Sequence, residues 1–323
     1  MKLSVVIPCY CSSKTIGNVV EQICNVIDSM NIKEYEIILV NDCSPDKGET
    51  LNVIRNLSNT NSCVIGIDLA KNSGQAAATL AGLSLAKGDF IAVGDDDGET
   101  PYENLVKMKE MIDAENYDIV CARFTEQEKK SLFRRFGTWM SRKMTSYTLE
   151  TPNGVDITVF FLAKRFVVQE MLKYHNPYPF IIGLIAQTTH NIGNIDVIKH
   201  ARLSGQSGYS FTKLLSVWMN GFTAFSIKPL RISSVIGIVC AIIGFIVGII
   251  TVFRKIFNSG ILAGYTTTIA AILFIGGIIM LILGLIGEYV GRIYICLNSR
   301  PQYIIKETMG KTDRILSKRD IDE

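Results

Sequence analysis

The amino-acid sequence predicts an α/β protein with a mostly parallel sheet, followed by an amphipathic helix and two transmembrane helices. Two observations support this prediction. Short apolar runs alternate with segments whose apolar residues recur at helical spacing, as in a parallel sheet covered by helices. Farther along the chain, two uncharged runs, Ile232–Phe253 and Ile261–Gly287, are each longer than the ~20 residues that a helix needs to cross a bilayer.

The predicted strands are short runs of mostly apolar residues, as expected where a strand is buried on both faces. They are Leu3–Pro8, Glu36–Asn41, Cys63–Leu69, Phe90–Val93 and Ile119–Cys121. The first ten residues, MKLSVVIPCY, hold only a short apolar run before Pro8. We therefore expect a strand there and not a signal peptide.

Helices are predicted between these strands. After the first strand, one helical face collects the apolar residues Ile16, Val19, Val20, Ile23, Ile27 and Met30. Two further helices are predicted over Gln75–Ala86 and Tyr102–Glu115. In a sheet of this type, ligands bind beyond the carboxyl ends of the strands.

Composition narrows the class of partner. The 323 residues carry a net charge of only +3, which does not suggest a nucleic-acid partner. The eight cysteines are scattered without a CxxC pair, which favours reduced thiols in a cytoplasmic compartment over a disulfide framework.

The charges around the two apolar runs predict their orientation. The intervening loop holds Arg254 and Lys255, whereas the flanking segments hold a larger set: Lys228, Arg231, Arg292, Arg300 and Lys306. Because the more basic side faces the cytoplasm, we expect a multi-pass inner-membrane protein with both termini cytoplasmic. The alternative is a hairpin buried in a large soluble core. Glycines at 276–277 and 284 suit helix packing between protomers, which predicts a possible homo-oligomer.

These features divide the chain into four parts. We predict a cytoplasmic domain over 1–209, a juxtamembrane helix over 210–229, a membrane hairpin over 230–290 and a cytoplasmic tail over 291–323. The hairpin spans are 232–253 and 264–287. The juxtamembrane helix has an apolar face formed by Phe211, Leu214, Leu215, Trp218, Phe222 and Phe225. This face predicts a helix lying in the membrane interface, and a core-facing helix is the alternative.

The ends of four predicted strands predict one ligand site, because three of them carry polar or acidic groups beside Gly or Pro. The strand ends are Pro8–Tyr10, Asn41–Ser44, Ala70–Gly74 and Gly94–Gly98. The last belongs to the stretch AVGDDDGETP, in which three adjacent carboxylates repel one another unless a cation or donor groups hold them. A solvated turn that caps the helix starting near Tyr102 is the alternative. No GxGxxG or GxxxxGK[ST] motif is present.

Six stretches in order carry a resemblance to a known family. VVIPCY, ILVNDCSPD, KNSGQAAATLAGL and GDDDGETP resemble the glycosyltransferase family 2 enzymes, which have a GT-A nucleotide-sugar-binding domain. HARLSGQSGYSFTKLL and GEYVGRIYICLNSRPQYII, with FTAFSIKPLR and the two apolar runs, resemble the polyprenyl-phosphate glycosyltransferases within that family. The resemblance extends from Met1 to about Lys306. It implies inverting transfer of a sugar from a nucleotide sugar to polyprenyl phosphate such as undecaprenyl phosphate. The nucleotide is expected to be UDP, with GDP as the alternative.

The resemblance also implies a donor site. Asp95 and Asp97 match the DxD motif, which binds Mg²⁺ or Mn²⁺ at the diphosphate, and hard carboxylate oxygens suit either ion. Glu99 stands where relatives often have Gln, and its carboxylate either adds a metal ligand or alters the sugar contact. Nucleotide-sugar-binding residues are Pro8, Tyr10, Asp42, Lys71, Asn72, Gly74, Asp95 and Asp96. Asp42 matches the base-reading aspartate, with an Asx-turn as its alternative, and a solvated loop lysine is the alternative for Lys71.

The acceptor phosphate requires basic residues near the bilayer. The candidates are Arg123, Arg134, Arg135, Arg202, Ser207 and Tyr209, of which Arg202 lies in the matching stretch ARLSGQSGY. Each single arginine has an exposed surface charge as its alternative, and Arg134 and Arg135 suit acidic lipid headgroups equally well.

Asp156 in NGVDITVFF is the candidate base or phosphate-orienting acid, with Asp97 and Arg202 completing the catalytic set. An edge-of-strand aspartate is the alternative, because VFFLAKR replaces the FRL-like stretch of relatives. Two other functions compete. A processive polysaccharide synthase requires QxxRW, and neither tryptophan, Trp139 or Trp218, lies in that motif. An inactive nucleotide-sugar-binding scaffold is opposed by the intact Asp95, Asp97 and Arg202.

Overall fold

The computed structural model describes residues 2–125, 154–175, 179–200, 265–297 and 301–310, with individual residues between 235 and 250. The chain divides into two compact units. One is Met1–Lys213 with Arg300–Glu323, and the other is Leu214–Ser299.

An eight-stranded sheet forms the centre of the first unit. Its strands are β1 (Lys2–Cys9), β2 (Glu34–Asn41), β3 (Val64–Leu69), β4 (Phe90–Val93), β5 (Ile119–Phe124), β6 (Phe161–Lys164), β7 (Ile192–Val197) and β8 (Ile305–Met309). Their order across the sheet is β7-β5-β6-β4-β1-β2-β3-β8. Only β6 and β8 run antiparallel to their neighbours, so the mostly parallel sheet is confirmed.

Helices cover the sheet and bury their apolar faces against it. They are α1 (Ile16–Ser29), α2 (Glu49–Thr60), α3 (Gln75–Leu85), α4 (Leu105–Glu115), α5 (Arg165–Leu172) and α6 (Ile181–Thr188). The predicted face of α1 is buried at Ile16, Val19, Val20, Ile23 and Ile27. Burying these side chains and the central β1 residues removes large apolar surfaces from water, which is the main stabilising contribution to this core.

The helix predicted to begin at Tyr102 begins instead at Leu105, after a 3-10 turn over Tyr102–Asn104. Tyr102 is buried. Its hydroxyl donates to the Asp95 carbonyl at 2.8 Å, and its ring packs edge to face against Phe160. An added Cβ at Gly94 would lie 2.5 Å from that hydroxyl. The turn therefore fixes the backbone at the start of the three-aspartate loop.

Strand β8 was not predicted from the sequence. It pairs antiparallel with β3 and covers that edge of the sheet. Lys306 approaches the buried Asp68 at 3.3 Å, and Glu307 accepts a hydrogen bond from Arg55 at 3.0 Å. The segment after the apolar runs is therefore part of the first unit, because β3 would otherwise be an open edge.

The second unit contains the long helix α7 (Tyr265–Leu297). Among the described residues, Phe274–Leu297 is the one stretch of helix long and apolar enough to cross a membrane. Described residues between 235 and 250 are also helical, and an added Cβ at Gly237 would lie 3.7 Å from Ile282 Cδ1. Much of the predicted first span and the juxtamembrane helix over 210–229 lie outside the described residues, so two spans remain a prediction.

Candidate active site

Loops at the carboxyl ends of β1, β2, β3 and β4 meet through hydrogen bonds. Asp96 Oδ2, after β4, accepts from the Tyr10 backbone N–H at 2.9 Å and from the Ser12 hydroxyl, both after β1. Gln75 Nε2, at the start of α3, donates to Asp95 Oδ1 at 2.7 Å. The structure thus brings together the four strand ends that the sequence predicts as one site.

Asp42 connects the loop after β2 with the loop before α3. Its Oδ1 accepts from the Ser73 N–H at 2.7 Å and its Oδ2 from the Gly74 N–H at 2.8 Å. Gly74 has φ +86°, a conformation that glycine adopts without strain. Burial raises the pKa of Asp42, and the two N–H groups oppose that shift. These partners lie far along the chain, so the carboxylate does not form the local Asx-turn considered above.

Asp95 lies in a concentrated negative field. Desolvation raises its pKa to about 6, the charges of Asp97 and Asp96 add to that shift, and Lys199 opposes it. A carboxyl group in such a field binds either a proton or a cation. The loop is therefore not a simple solvated turn, because Asp95 and Asp96 accept hydrogen bonds from residues that follow β3 and β1.

The donor set around Asp95 fits a divalent cation with few protein ligands. Among the described residues, no group of three or more His, Cys, Asp or Glu side chains is placed to hold a metal ion. Mg²⁺ commonly takes one or two carboxylates and completes its shell with water and substrate phosphates. Asp95 and Asp97 suit that arrangement. Glu99, predicted as a third ligand, is not grouped with them, and its Oε2 accepts from Lys199 Nζ at 2.8 Å.

We expect metal-free protein to lose thermal stability as the pH rises through about 6, because the folded chain binds the Asp95 proton more tightly than the ordinary pKa of 3.8 implies. This contribution is complete below pH 3.8 and is lost above about 6. Tm measured in chelator between about pH 4 and 7 checks it. Asp95→Asn is the matched control, since the amide does not titrate and should lack this part of the profile. Identical pH profiles for the two proteins would contradict the prediction.

A second polar cluster lies at the carboxyl ends of β5 and β7. Arg123 Nε lies 3.3 Å from Asp156 Oδ2, and its Nη1 lies 3.8 Å from Asp196 Oδ1. Arg123 Nη2 donates to the Gly154 carbonyl at 2.5 Å and to Asn194 Oδ1 at 3.2 Å. The predicted base candidate and one predicted phosphate-binding arginine are therefore partners in an ion pair.

Asn194 holds this cluster together and was not predicted from the sequence. Its Oδ1 accepts from the Asp156 N–H at 2.8 Å, and its Nδ2 donates to the Asp156 carbonyl at 2.6 Å. Nδ2 also donates to the Cys121 carbonyl at 3.1 Å. No sequence pattern distinguishes an asparagine with this role from other polar residues of a strand.

The other predicted residues fall into two groups. Tyr10, Lys71 and Asn72 are exposed in the loops of the first cluster, whereas Pro8 is buried within β1. Outside the described residues lie Arg134, Arg135, Arg202, Ser207 and Tyr209. Sequence reasoning missed Ser12 and Gln75 in the first cluster. Gln75 falls inside the quoted stretch KNSGQ, which was the available signal for it.

The mostly parallel α/β sheet is GT-A-like, and the family comparison defines the chain as a glycosyltransferase. The family described as glycosyl transferase family 2 matches residues 4–172, and the chain belongs to that family. A second family, described as the GtrB C-terminal hairpin, matches residues 228–293.

Two relatives match along nearly their whole length. An undecaprenyl-phosphate 4-deoxy-4-formamido-L-arabinose transferase of Photorhabdus laumondii is 32% identical, over 96% of this chain and 94% of its own. A prophage bactoprenol glucosyl transferase homolog of Escherichia coli is 30% identical, over 95% and 99%. A crystal structure of glucosyl-3-phosphoglycerate synthase from Mycobacterium tuberculosis with Mn²⁺, UDP and phosphoglyceric acid has a TM-score of 0.46 at 15% identity, covering 68% of this chain and 75% of that one.

Proposed function

We propose that this protein transfers a sugar from a UDP-sugar to undecaprenyl phosphate with inversion at the anomeric carbon. The product is a lipid-linked sugar that donates to cell-surface glycans. The observation that carries the proposal is the pairing of two charged clusters at the carboxyl ends of the parallel strands, one acidic and suited to a cation, the other built on Arg123 and Asp156. The names of the two relatives support the lipid phosphate as acceptor.

The first cluster is proposed to bind the donor. Asp95 and Asp97 would hold Mg²⁺ or Mn²⁺, which supplies positive charge to the leaving nucleotide diphosphate. Tyr10, Lys71 and Asn72 are exposed where the base and diphosphate would enter. Asp42 would accept a hydrogen bond from the base through the lone pairs that Ser73 and Gly74 leave available.

The second cluster is proposed to serve the acceptor. An oxygen of the lipid phosphate forms a bond to the anomeric carbon, while the bond from that carbon to the diphosphate oxygen breaks. A phosphate monoester has a second pKa of about 6 and needs little help from a base near neutral pH. Correct placement of the lipid phosphate therefore contributes more to the rate than proton removal does. Asp156 would orient this phosphate together with Arg202.

The membrane placement follows from the same proposal. The acceptor is a lipid, and Phe274–Leu297 is apolar and exposed in the described part of the chain. We propose a multi-pass inner-membrane protein with its first unit in the cytoplasm, as the Lys/Arg distribution predicts.

The test is transfer by the purified full-length chain with Mn²⁺ and undecaprenyl phosphate, using a panel of labelled nucleotide sugars. We expect label in a butanol-extractable lipid with an inverted anomeric configuration. A polymeric product would favour a processive synthase instead. Binding of UDP-sugars without turnover of any of them would favour a scaffold.

We expect Asp42→Ala to raise the KM for the nucleotide sugar roughly tenfold to a hundredfold, since losing a charge-assisted hydrogen bond costs about 1.5–3 kcal/mol. The kcat should change little, because a contact with the base is equal in ground and transition states. The KM for the nucleotide sugar, measured by steady-state kinetics, and the Kd for UDP should rise together. The Tm shows how much of the effect comes from the loop that Asp42 anchors, and an unchanged KM would remove Asp42 from the site.

A further inference from the structure

The last residue of β7 and the three residues after it, 197–200, lie against both polar clusters, and we call them the docking segment. At its start, the Val197 carbonyl accepts from the Thr125 N–H at 2.9 Å, just past β5. At its end, the His200 N–H donates to the Glu99 carbonyl at 3.0 Å, and His200 Nε2 lies 3.0 Å from Glu103 Oε1. Main-chain bonds thus fix this segment to β5 on one side and to the three-aspartate loop on the other.

Lys199 is the side chain that joins the two clusters. Its Nζ donates to Glu99 Oε2 at 2.8 Å and lies 4.9 Å from the centre of the Phe124 ring, within the range of a cation–π contact. Phe124 is the neighbour of Arg123 in β5, and Glu99 follows Asp97 by two residues. A single ammonium group therefore contacts both the donor loop and the strand that carries the acceptor arginine.

We propose that Lys199 and Glu99 are positioning residues. They hold the second polar cluster, which contains Arg123, at a fixed position relative to the three-aspartate loop. This rests on the proposed function and extends it to a pair that no sequence resemblance assigned. The pair gives Glu99 a role different from the metal ligand and the sugar contact considered above. Its carboxylate neutralises an ammonium group, and the described residues contain no third ligand grouped with Asp95 and Asp97. In the sequence, the predicted acceptor residue Arg202 comes two residues after this segment.

The test is a double-mutant cycle with Lys199→Met, Glu99→Gln and the double variant, measured in the full-length protein. If the pair acts as a unit, each single variant raises the KM for undecaprenyl phosphate about tenfold, and the double variant is no worse than either. The KM for the nucleotide sugar should change less than that for the acceptor. Lys164→Met is the matched control, because it breaks a Lys–Asp pair with Asp118. That pair lies at the opposite end of the parallel strands from the candidate site.

Mn²⁺ binding in the presence of UDP, measured by titration, provides a readout independent of transfer. The double variant removes one positive and one negative charge, so its Mn²⁺ affinity should match that of the wild type. A tenfold loss of affinity in the double variant would make Glu99 a metal ligand and overturn the proposal. Additive losses, or an unchanged acceptor KM in both single variants, would also overturn it. Wild-type protein that lacks transfer but binds Mn²⁺ and UDP would count against the proposed function instead.

Discussion

Asp97→Asn is expected to reduce sugar transfer by at least about a hundredfold while leaving the protein folded. The variant removes one of two carboxylates proposed to hold the cation, and electrostatic stabilisation of a leaving group is worth several kcal/mol. The loop should keep its shape, because Asp97 Oδ1 accepts from the Glu99 N–H at 2.9 Å and an asparagine oxygen can do the same. Transfer rate as a function of Mn²⁺ concentration, with Tm as the measure of folding, checks the prediction.

Asp113→Asn is the matched control for this charge change. Asp113 is exposed and pairs with Lys109 on α4, away from the three-aspartate loop, so the same substitution there should leave the Mn²⁺ dependence unchanged. Asp95→Asn should also be severe, and the Gln75 amide can still donate to the new side-chain oxygen. Wild-type turnover by Asp97→Asn, or full activity of the wild type in chelator, would end the proposal of a metal at this loop.

The parallel strands β1 to β5 were predictable because each is a short, mostly apolar and mostly buried run, whereas the parallel strand β7 was missed because polar residues interrupt its apolar pattern. The central strands β1, β2 and β4 agree with their predicted positions to within two residues at each end. Strand β8 was missed because it lies at an edge, where alternating polar residues such as Lys306 and Glu307 form ion pairs with neighbours distant in sequence. Pairing partners of that kind are fixed by topology and not by local pattern.

The candidate site was predictable where its polar side chains directly follow a predicted strand. Asp42 and the three aspartates after β4 were identified in this way, and the structure brings their loops together. Partners from elsewhere in the chain were not predictable. The sequence suggested Arg123 as a phosphate-binding side chain, with a surface charge as the alternative. Its contact with Asn194 arises because β5 pairs with β7, and its ion pair with Asp156 joins it to a distant loop.

Arg123→Ala is expected to lower the catalytic efficiency for undecaprenyl phosphate by roughly 30-fold to 100-fold, or about 2–3 kcal/mol. Arg123 lies within 4 Å of two carboxylates, Asp156 at 3.3 Å and Asp196 at 3.8 Å. Without the guanidinium both charges are uncompensated, and they repel the lipid phosphate. Arg123→Lys should recover little, because one ammonium group cannot also donate to the Gly154 carbonyl and Asn194 in the same geometry.

The double variant Arg123→Ala/Asp196→Asn separates charge compensation from direct phosphate binding. Asp196 is largely exposed, and its removal takes away one negative charge without touching the hydrogen bonds between Asn194 and Asp156. If Arg123 acts by neutralising carboxylates, the double variant regains part of the lost catalytic efficiency. The remaining loss of efficiency is then smaller at high salt, because salt screens exposed charges. If Arg123 binds the phosphate directly, the double variant is as poor as the single one at every salt concentration. Wild-type acceptor KM in Arg123→Ala would contradict both roles and leave the arginine as a structural partner of Asp156.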